Sequence, residues 1–159
     1  MHLIDTHQHL WRREQFRLPW IEAGSVLDRD YMVEDYASET EGLGVAKTVY
    51  MEVDVAEEQQ AAEAEWVTGM CLRSDNTMAG AVIGGRPASP EFVHYLDRVV
   101  TTPEIKGVRQ VLHGASTPRG FCLQPAFVEG VRLLGERGLS FDLCMRAPEI
   151  GRASCRERV

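Results

Sequence analysis

The sequence predicts an α/β fold built from parallel βαβ units. Three observations carry that prediction. Short runs rich in β-branched and aromatic residues alternate with longer runs of helical periodicity, glycines and prolines punctuate the junctions, and the alternation holds from residue 2 to residue 145.

The first strand is expected over residues 2–6, followed by a loop that holds Trp11, Phe16, Pro19 and Trp20. A helix is predicted over about residues 32–43, with Gly42 and Gly44 to end it. The run AKTVYMEV, residues 46–53, reads as the second strand. Asp54 stands three residues before Glu57, the spacing of a capping box, so the second helix is expected to start there and run through EEQQAAEAEWVTGMCLRS. MAGAVIG, residues 78–84, is the third strand. Ser89 and Pro90 offer an N-cap and a first-turn proline for the third helix. Phe92, Tyr95, Leu96 and Val99 give that helix one apolar stripe. IKGVRQVL, residues 105–112, is the fourth strand. Pro125 opens the fourth helix, Phe127, Val131 and Leu134 recur at i, i+4 and i+7, and Gly138 closes it. LSFDLCM, residues 139–145, is the fifth strand.

The order βαβαβαβαβ implies a parallel sheet with right-handed crossovers. An open doubly wound sheet and a TIM barrel both satisfy it. No GxGxxG or P-loop follows the first strand, which removes the usual mark of a nucleotide-binding sheet. A barrel of about 250 residues spends roughly 31 on each unit. The expected fold is therefore a partial TIM (β/α)8 barrel, its strands 1–5 and helices 1–4.

Residues 149–159, EIGRASCRERV, have no apolar rhythm and resemble the translation of a sequencing-library adapter. The expected organisation is an N-terminal part of a barrel over residues 1–148 and a non-native tail over 149–159. The chain then reads as the N-terminal fragment of a longer protein.

A net charge of −7 argues against nucleic acid and anionic membranes as partners. No apolar stretch approaches the roughly 20 residues of a membrane helix, and the first residues lack the basic start of a signal peptide. Cys71, Cys122, Cys144 and Cys155 form no CxxC, a usage that suits reduced thiols and a cytoplasmic protein. A small-molecule substrate is the expected partner, and open sheet edges would allow a homo-oligomer.

The chemistry concentrates in IDTHQHLW, residues 4–11. Side chains alternate along a strand, so Asp5, His7 and His9 share one face, with the two histidines about 7 Å apart at the Cα. They stand at the C-terminal end of the first strand, where parallel α/β folds bind ligands. Two imidazoles there can converge on one cation, and a catalytic site asks for about three protein ligands and an open position. The alternative is a pair of satisfied polar residues in a turn.

IDTHQHLW, followed by LPWI, YMEVD, IKGVRQVL and LSFDLCMR, resembles the amidohydrolase superfamily. Within it the chain is similar to the amidohydrolase-related branch that holds sugar-lactone and dicarboxylate lactonases and some decarboxylases. The resemblance runs from residue 1 to about residue 146. It implies a (β/α)8 barrel, with His7 and His9 as ligands of a divalent metal, zinc foremost. Some members of the branch work without metal and use the same residues to hold a lactone or carboxylate. The resemblance also implies further ligands on later strands, which this chain does not reach. The implied reaction is hydrolysis of a lactone or related cyclic ester by activated water. The alternatives are a metal-dependent decarboxylase on the same barrel and a non-catalytic partial barrel; the resemblance implies an enzyme for the parent, while the fragment itself is expected to be inactive.

Three more residues are candidates for binding substrate. Arg109 lies inside the fourth strand, where a charge needs a partner or a task. By resemblance it holds a carboxylate or lactone oxygen; the alternative is a structural ion pair. Glu52 ends the second strand and is placed to face the same mouth; the alternative is a solvated carboxylate. His113, just past the fourth strand, is a third histidine at that end, or else a loop histidine. Asp142 reads as a structural acid between strands, Trp11 and Trp20 as packing of the first loop over the mouth, with stacking on substrate as the alternative, and His94 as exposed on the third helix.

Overall fold

The computed structural model describes residues 2–114 and 117–146. The proposed tail at 149–159, its boundary after residue 148, and Cys155 lie outside the described residues. Five strands form one parallel sheet in chain order: β1 Leu3–Gln8, β2 Val45–Met51, β3 Met78–Gly84, β4 Ile105–Val111 and β5 Ser140–Cys144. Four helices make the crossovers: α1 Val33–Glu39, α2 Gln60–Cys71, α3 Phe92–Val99 and α4 Pro125–Glu136. The sheet curls into half a barrel, as the strand–helix alternation predicts.

The centre of the sheet carries the core. Tyr50, Ala81, Ile83 and Val108 are wholly buried, and Ala64, Val67, Leu96 and Leu134 cover them from the helices. Each large aliphatic side chain removed from water there contributes about 1.5–3 kcal/mol. The stripe on α3 behaves as its spacing predicts, with Phe92, Leu96 and Val99 buried. On α4, Phe127 and Leu134 face inward together with Gly130. A Cβ on Gly130 would stand 2.2 Å from the Pro87 carbonyl oxygen, so this helix approaches the loop after β3 as closely as only glycine permits.

Several boundaries differ from expectation, each with a local cause. β1 extends to Gln8 rather than ending at Thr6, so His7 belongs to the strand. α1 stops at Glu39, four residues early. The Thr40 hydroxyl donates to the Tyr36 carbonyl, and Gly42 and Gly44 then take φ of +79° and +75° to turn the chain into β2. Asp54 does not cap α2. It holds φ of +50°, its N–H donates to Glu52, and a 3₁₀ turn at Glu57–Gln59 leads into the helix instead. Ser89 takes the Glu91 N–H on its hydroxyl, and α3 starts two residues beyond Pro90. Among the described residues no helix is long and apolar enough to cross a membrane.

Candidate active site

The C-terminal ends of β1, β2 and β4 converge on one cavity of about 540 Å3. A space of that size suits a small ligand. His9, Glu52, Arg109 and His113 line its polar side, and Trp11, Trp20, Leu27 and Tyr31 its apolar side.

His7 and His9 lie at the end of β1 with ring centroids 4.8 Å apart, edge to face. Asp5 prepares this arrangement from below. Its carboxylate accepts from the His7 N–H at 2.9 Å and from the Tyr36 hydroxyl at 2.6 Å. Those two hydrogen bonds, the Tyr36 one first, hold the Asp5 pKa below its usual range. His9 is the more enclosed histidine. Its Nδ1 stands 2.9 Å from the Met51 carbonyl oxygen. A carbonyl only accepts, so the proton sits on Nδ1 and Nε2 keeps its lone pair. Burial pushes the His9 pKa down, which favours that neutral form. This is how a protein orients a ligating imidazole, by a backbone acceptor on the other nitrogen. His7 is exposed, so the pair joins one fixed ring to one open ring.

Glu52 and Arg109 form the charged floor. Glu52 is 2% exposed and its Oε1 lies 3.3 Å from Arg109 Nε, without the alignment of a hydrogen bond. Its Oε2 accepts from the Asp54 N–H. Burial, then the charge of Glu63, pushes the Glu52 pKa up to about 7, while Arg109 pulls the other way. The Arg109 guanidinium also donates to the Glu52 carbonyl at 3.5 Å and to Cys144 Sγ at 2.9 Å. Cys144 Sγ in turn stands 3.8 Å from His113 Nε2. Arg109 is thus both the ion-pair partner and a cavity wall, and Glu52 is not a solvated carboxylate. Asp142 sits opposite Arg109 in the β4–β5 register, and His94 is exposed on α3.

A supporting layer behind the floor was not anticipated. Glu63, on α2, is wholly buried and accepts from the Tyr50 hydroxyl at 2.7 Å and the Val53 N–H at 3.0 Å. Those partners flank Met51 and Glu52, so one carboxylate clamps the stretch that carries the His9 acceptor and the Arg109 partner. Burial pushes the Glu63 pKa up to about 6. Arg86 approaches Asp54 at 3.5 Å and Glu57 at 3.9 Å, closing the layer. The sequence held one sign of this: Glu63 shares a face with Val67 and Met70 at i, i+4 and i+7, an acid inside an apolar stripe.

The fit of a metal can be tested on these side chains. The neutral His9 with a bare Nε2, and His7 beside it, are two donors of the type a metal takes. Among the described residues no group of three His, Cys, Asp or Glu side chains is disposed to hold an ion.

The chain matches the amidohydrolase family model over residues 4–156. It is 27% identical over 144 residues to L-fucono-1,5-lactonase from Burkholderia multivorans, covering 88% of this chain and 46% of that one. Its structure is similar to that of amidohydrolase 2 from Bifidobacterium longum subsp. infantis, with a TM-score of 0.71 and 28% identity, over 96% of this chain and 55% of that one. It also shares the fold of an amidohydrolase from Burkholderia multivorans crystallised with bound zinc, with a TM-score of 0.80 and 21% identity, over 98% of this chain and 54% of that one. The chain therefore spans about half the length of the relatives it matches.

Proposed function

The chain belongs to the amidohydrolase family, and on that premise we propose that its cavity is the substrate-binding part of a site that hydrolyses a lactone or related cyclic ester. The observation that carries this reading is the convergence of His9, Glu52, Arg109 and His113 on one cavity at the C-terminal ends of parallel strands. The similarity to a lactonase supports the choice of ester over other amidohydrolase substrates.

Each residue has a part. Arg109, held by Glu52, presents guanidinium N–H groups to the carbonyl or to the carboxylate that ring opening creates. Glu52 fixes that guanidinium through its carboxylate and its backbone carbonyl. His113, exposed at the rim, adds a donor for a second substrate oxygen. His7 and His9 would hold a divalent metal, zinc by the resemblance, which supplies an acidified water and a polarised carbonyl. In the absence of metal the same two imidazoles can hydrogen-bond the carboxylate, the second use the branch makes of them. Cys71 and Cys144 are free thiols, which supports a reducing, cytoplasmic compartment.

The test is binding of a lactone and of its ring-opened acid. δ-Valerolactone and 5-hydroxyvalerate are titrated into the chain and followed by NMR. Both are expected to shift signals at Arg109 and His113, and Arg109→Gln is expected to weaken 5-hydroxyvalerate at least tenfold, about 1.4 kcal/mol. Equal binding by wild type and Arg109→Gln, or no binding of either compound, overturns the reading.

A further inference from the structure

The apolar side of the cavity is largely aromatic. Trp11, Trp20 and Tyr31 form one aromatic cluster, with Trp11 centred 5.9 Å from Trp20 and 4.6 Å from Tyr31. Every polar handle of the cluster is turned onto the backbone. Trp20 Nε1 donates to the Val53 carbonyl at 2.7 Å, Trp11 Nε1 to the Arg29 carbonyl at 2.8 Å, and the Tyr31 hydroxyl to the Val26 carbonyl at 2.7 Å. With its N–H satisfied by Val53, the exposed Trp20 indole presents ring carbon to the cavity. Trp11 is 6% exposed and acts as the anchor, while Trp20 is 45% exposed and lines the cavity. The bond to Val53 fixes the orientation of Trp20 next to Glu52, so its distance from the charged floor is set by one residue of backbone.

We propose that Trp20 is the specificity-determining residue of this site and that it selects substrates with a flat apolar ring face. The inference rests on the cyclic-ester reading and narrows it. One end of the substrate bears the carbonyl that meets Arg109. The other presents a ring plane, either the π face of an aryl-fused lactone or the C–H face of a pyranose lactone. A rigid indole with no unsatisfied N–H gains from covering such a plane and gains little from a small or flexible acyl chain. An aromatic pairing contributes about 0.5–1.5 kcal/mol beyond the area it buries, which corresponds to a preference of roughly two- to tenfold.

The experiment compares four probes on the full 159-residue chain by calorimetry and indole N–H NMR: dihydrocoumarin, D-glucono-1,5-lactone, δ-valerolactone and phenylacetate. Dihydrocoumarin is expected to bind about five- to tenfold more tightly than δ-valerolactone and to shift the Trp20 indole signal. That preference is expected to vanish in Trp20→Ala and Trp20→Leu and to survive in Trp20→Phe. Trp20→Leu keeps an apolar side chain, so it separates ring stacking from lost burial or a collapsed loop. D-Glucono-1,5-lactone distinguishes the two ring faces: a Trp20-dependent preference over δ-valerolactone assigns the pyranose face, and its absence assigns the aryl face. If the preference persists in both Trp20→Ala and Trp20→Leu, the role of Trp20 is overturned while the cyclic-ester site stands. If only phenylacetate binds, and does so through Trp20, the ring-face selection stands and the ester reading falls. No binding of any probe overturns both.

Discussion

The centre and the edges of this sheet are written in the same kind of sequence and end in opposite environments. On the central strands, Tyr50, Met51, Ala81, Ile83 and Val108 are at most 2% exposed. On the outer strands, Leu3 is 38% exposed, Ile4 61% and Leu143 51%. The central strands have a neighbour on each side and helices behind them, whereas β1 and β5 each pair on one side only among the described residues. The candidate site straddles this divide. Glu52 and Arg109 come from the packed centre, His7 from one edge and Cys144 from the other. The part of the site that positions charge is therefore packed, and the part expected to hold metal is half open, with His9 enclosed and His7 exposed.

Truncating one side chain at the centre of the sheet and one at its edge separates the two environments most strongly. Ile83→Ala removes a wholly buried side chain from β3 and is expected to cost about 2–5 kcal/mol. Ile4→Ala, at a position 61% exposed, is expected to stay within about 1 kcal/mol. Urea unfolding of both variants measures the gap. Equal losses would mean that β1 is covered in solution, as it would be in a self-associated form.

The supporting layer comes next in size. Glu63→Ala strands the buried Val53 N–H and leaves the Tyr50 hydroxyl only the longer bond to the Leu10 carbonyl at 3.3 Å, and is expected to cost about 1–3 kcal/mol. The loss should appear both in unfolding and as a changed NMR shift of the His9 ring, because Val53 and Tyr50 flank the Met51 carbonyl that orients it. A stability loss with an unmoved His9 signal would show that the clamp supports the fold and not the site.

What was legible in the sequence follows this same divide. β3 was readable to the residue, since MAGAVIG is an uninterrupted apolar run between turn signals and both its faces are covered. β1 was read too short, because its last residues are polar and only the tertiary structure shows that Gln8 is buried at 3%. His7, His9, Glu52, Arg109 and His113 were all named from strand ends and from the resemblance, and all but His7 line the one cavity. Glu63 escaped because a glutamate in an alanine- and glutamate-rich helix reads as solvated. Its value depends on Tyr50, thirteen residues earlier, and no local pattern joins the two. Asp54 misled for a related reason: the spacing to Glu57 fits a capping box, but Glu52 and Arg86 claim Asp54 first.

The open edge makes its own prediction. His9 is oriented by Met51, while His7 is exposed, its N–H held by Asp5 and its ring edge to face with His9. Zinc binding, measured by competition with a chromogenic chelator, is expected to be weak, since only two imidazoles are brought together. His9→Ala is expected to weaken it by at least tenfold, about 1.4 kcal/mol, and Asp5→Asn by less. Nanomolar affinity would show that further ligands join these two.

The smallest effect tests the charge at the centre. The Glu63 pKa stands at about 6 in the folded chain against an ordinary 4.5. Between those values the folded state holds a proton that the unfolded state has released, so stability falls as pH rises through the window. One group shifted by that amount contributes at most about 2 kcal/mol. Glu52 acts with the same sign over a window reaching about pH 7. His9, lowered by burial, acts with the opposite sign, its folded form giving up its proton before the unfolded one does. Tyr50, Asp54 and Arg86 face Glu63 and set its level. Glu63→Gln keeps an acceptor for the Tyr50 hydroxyl and removes one titration. It also takes from Glu52 the neighbouring charge that helps to raise it, so the Glu52 window should narrow as well. The plot of unfolding free energy against pH is therefore expected to lose about half its negative slope between pH 4.5 and 6 in Glu63→Gln. An unchanged slope would mean that water reaches Glu63, and that the centre of the sheet is less closed than its packing shows.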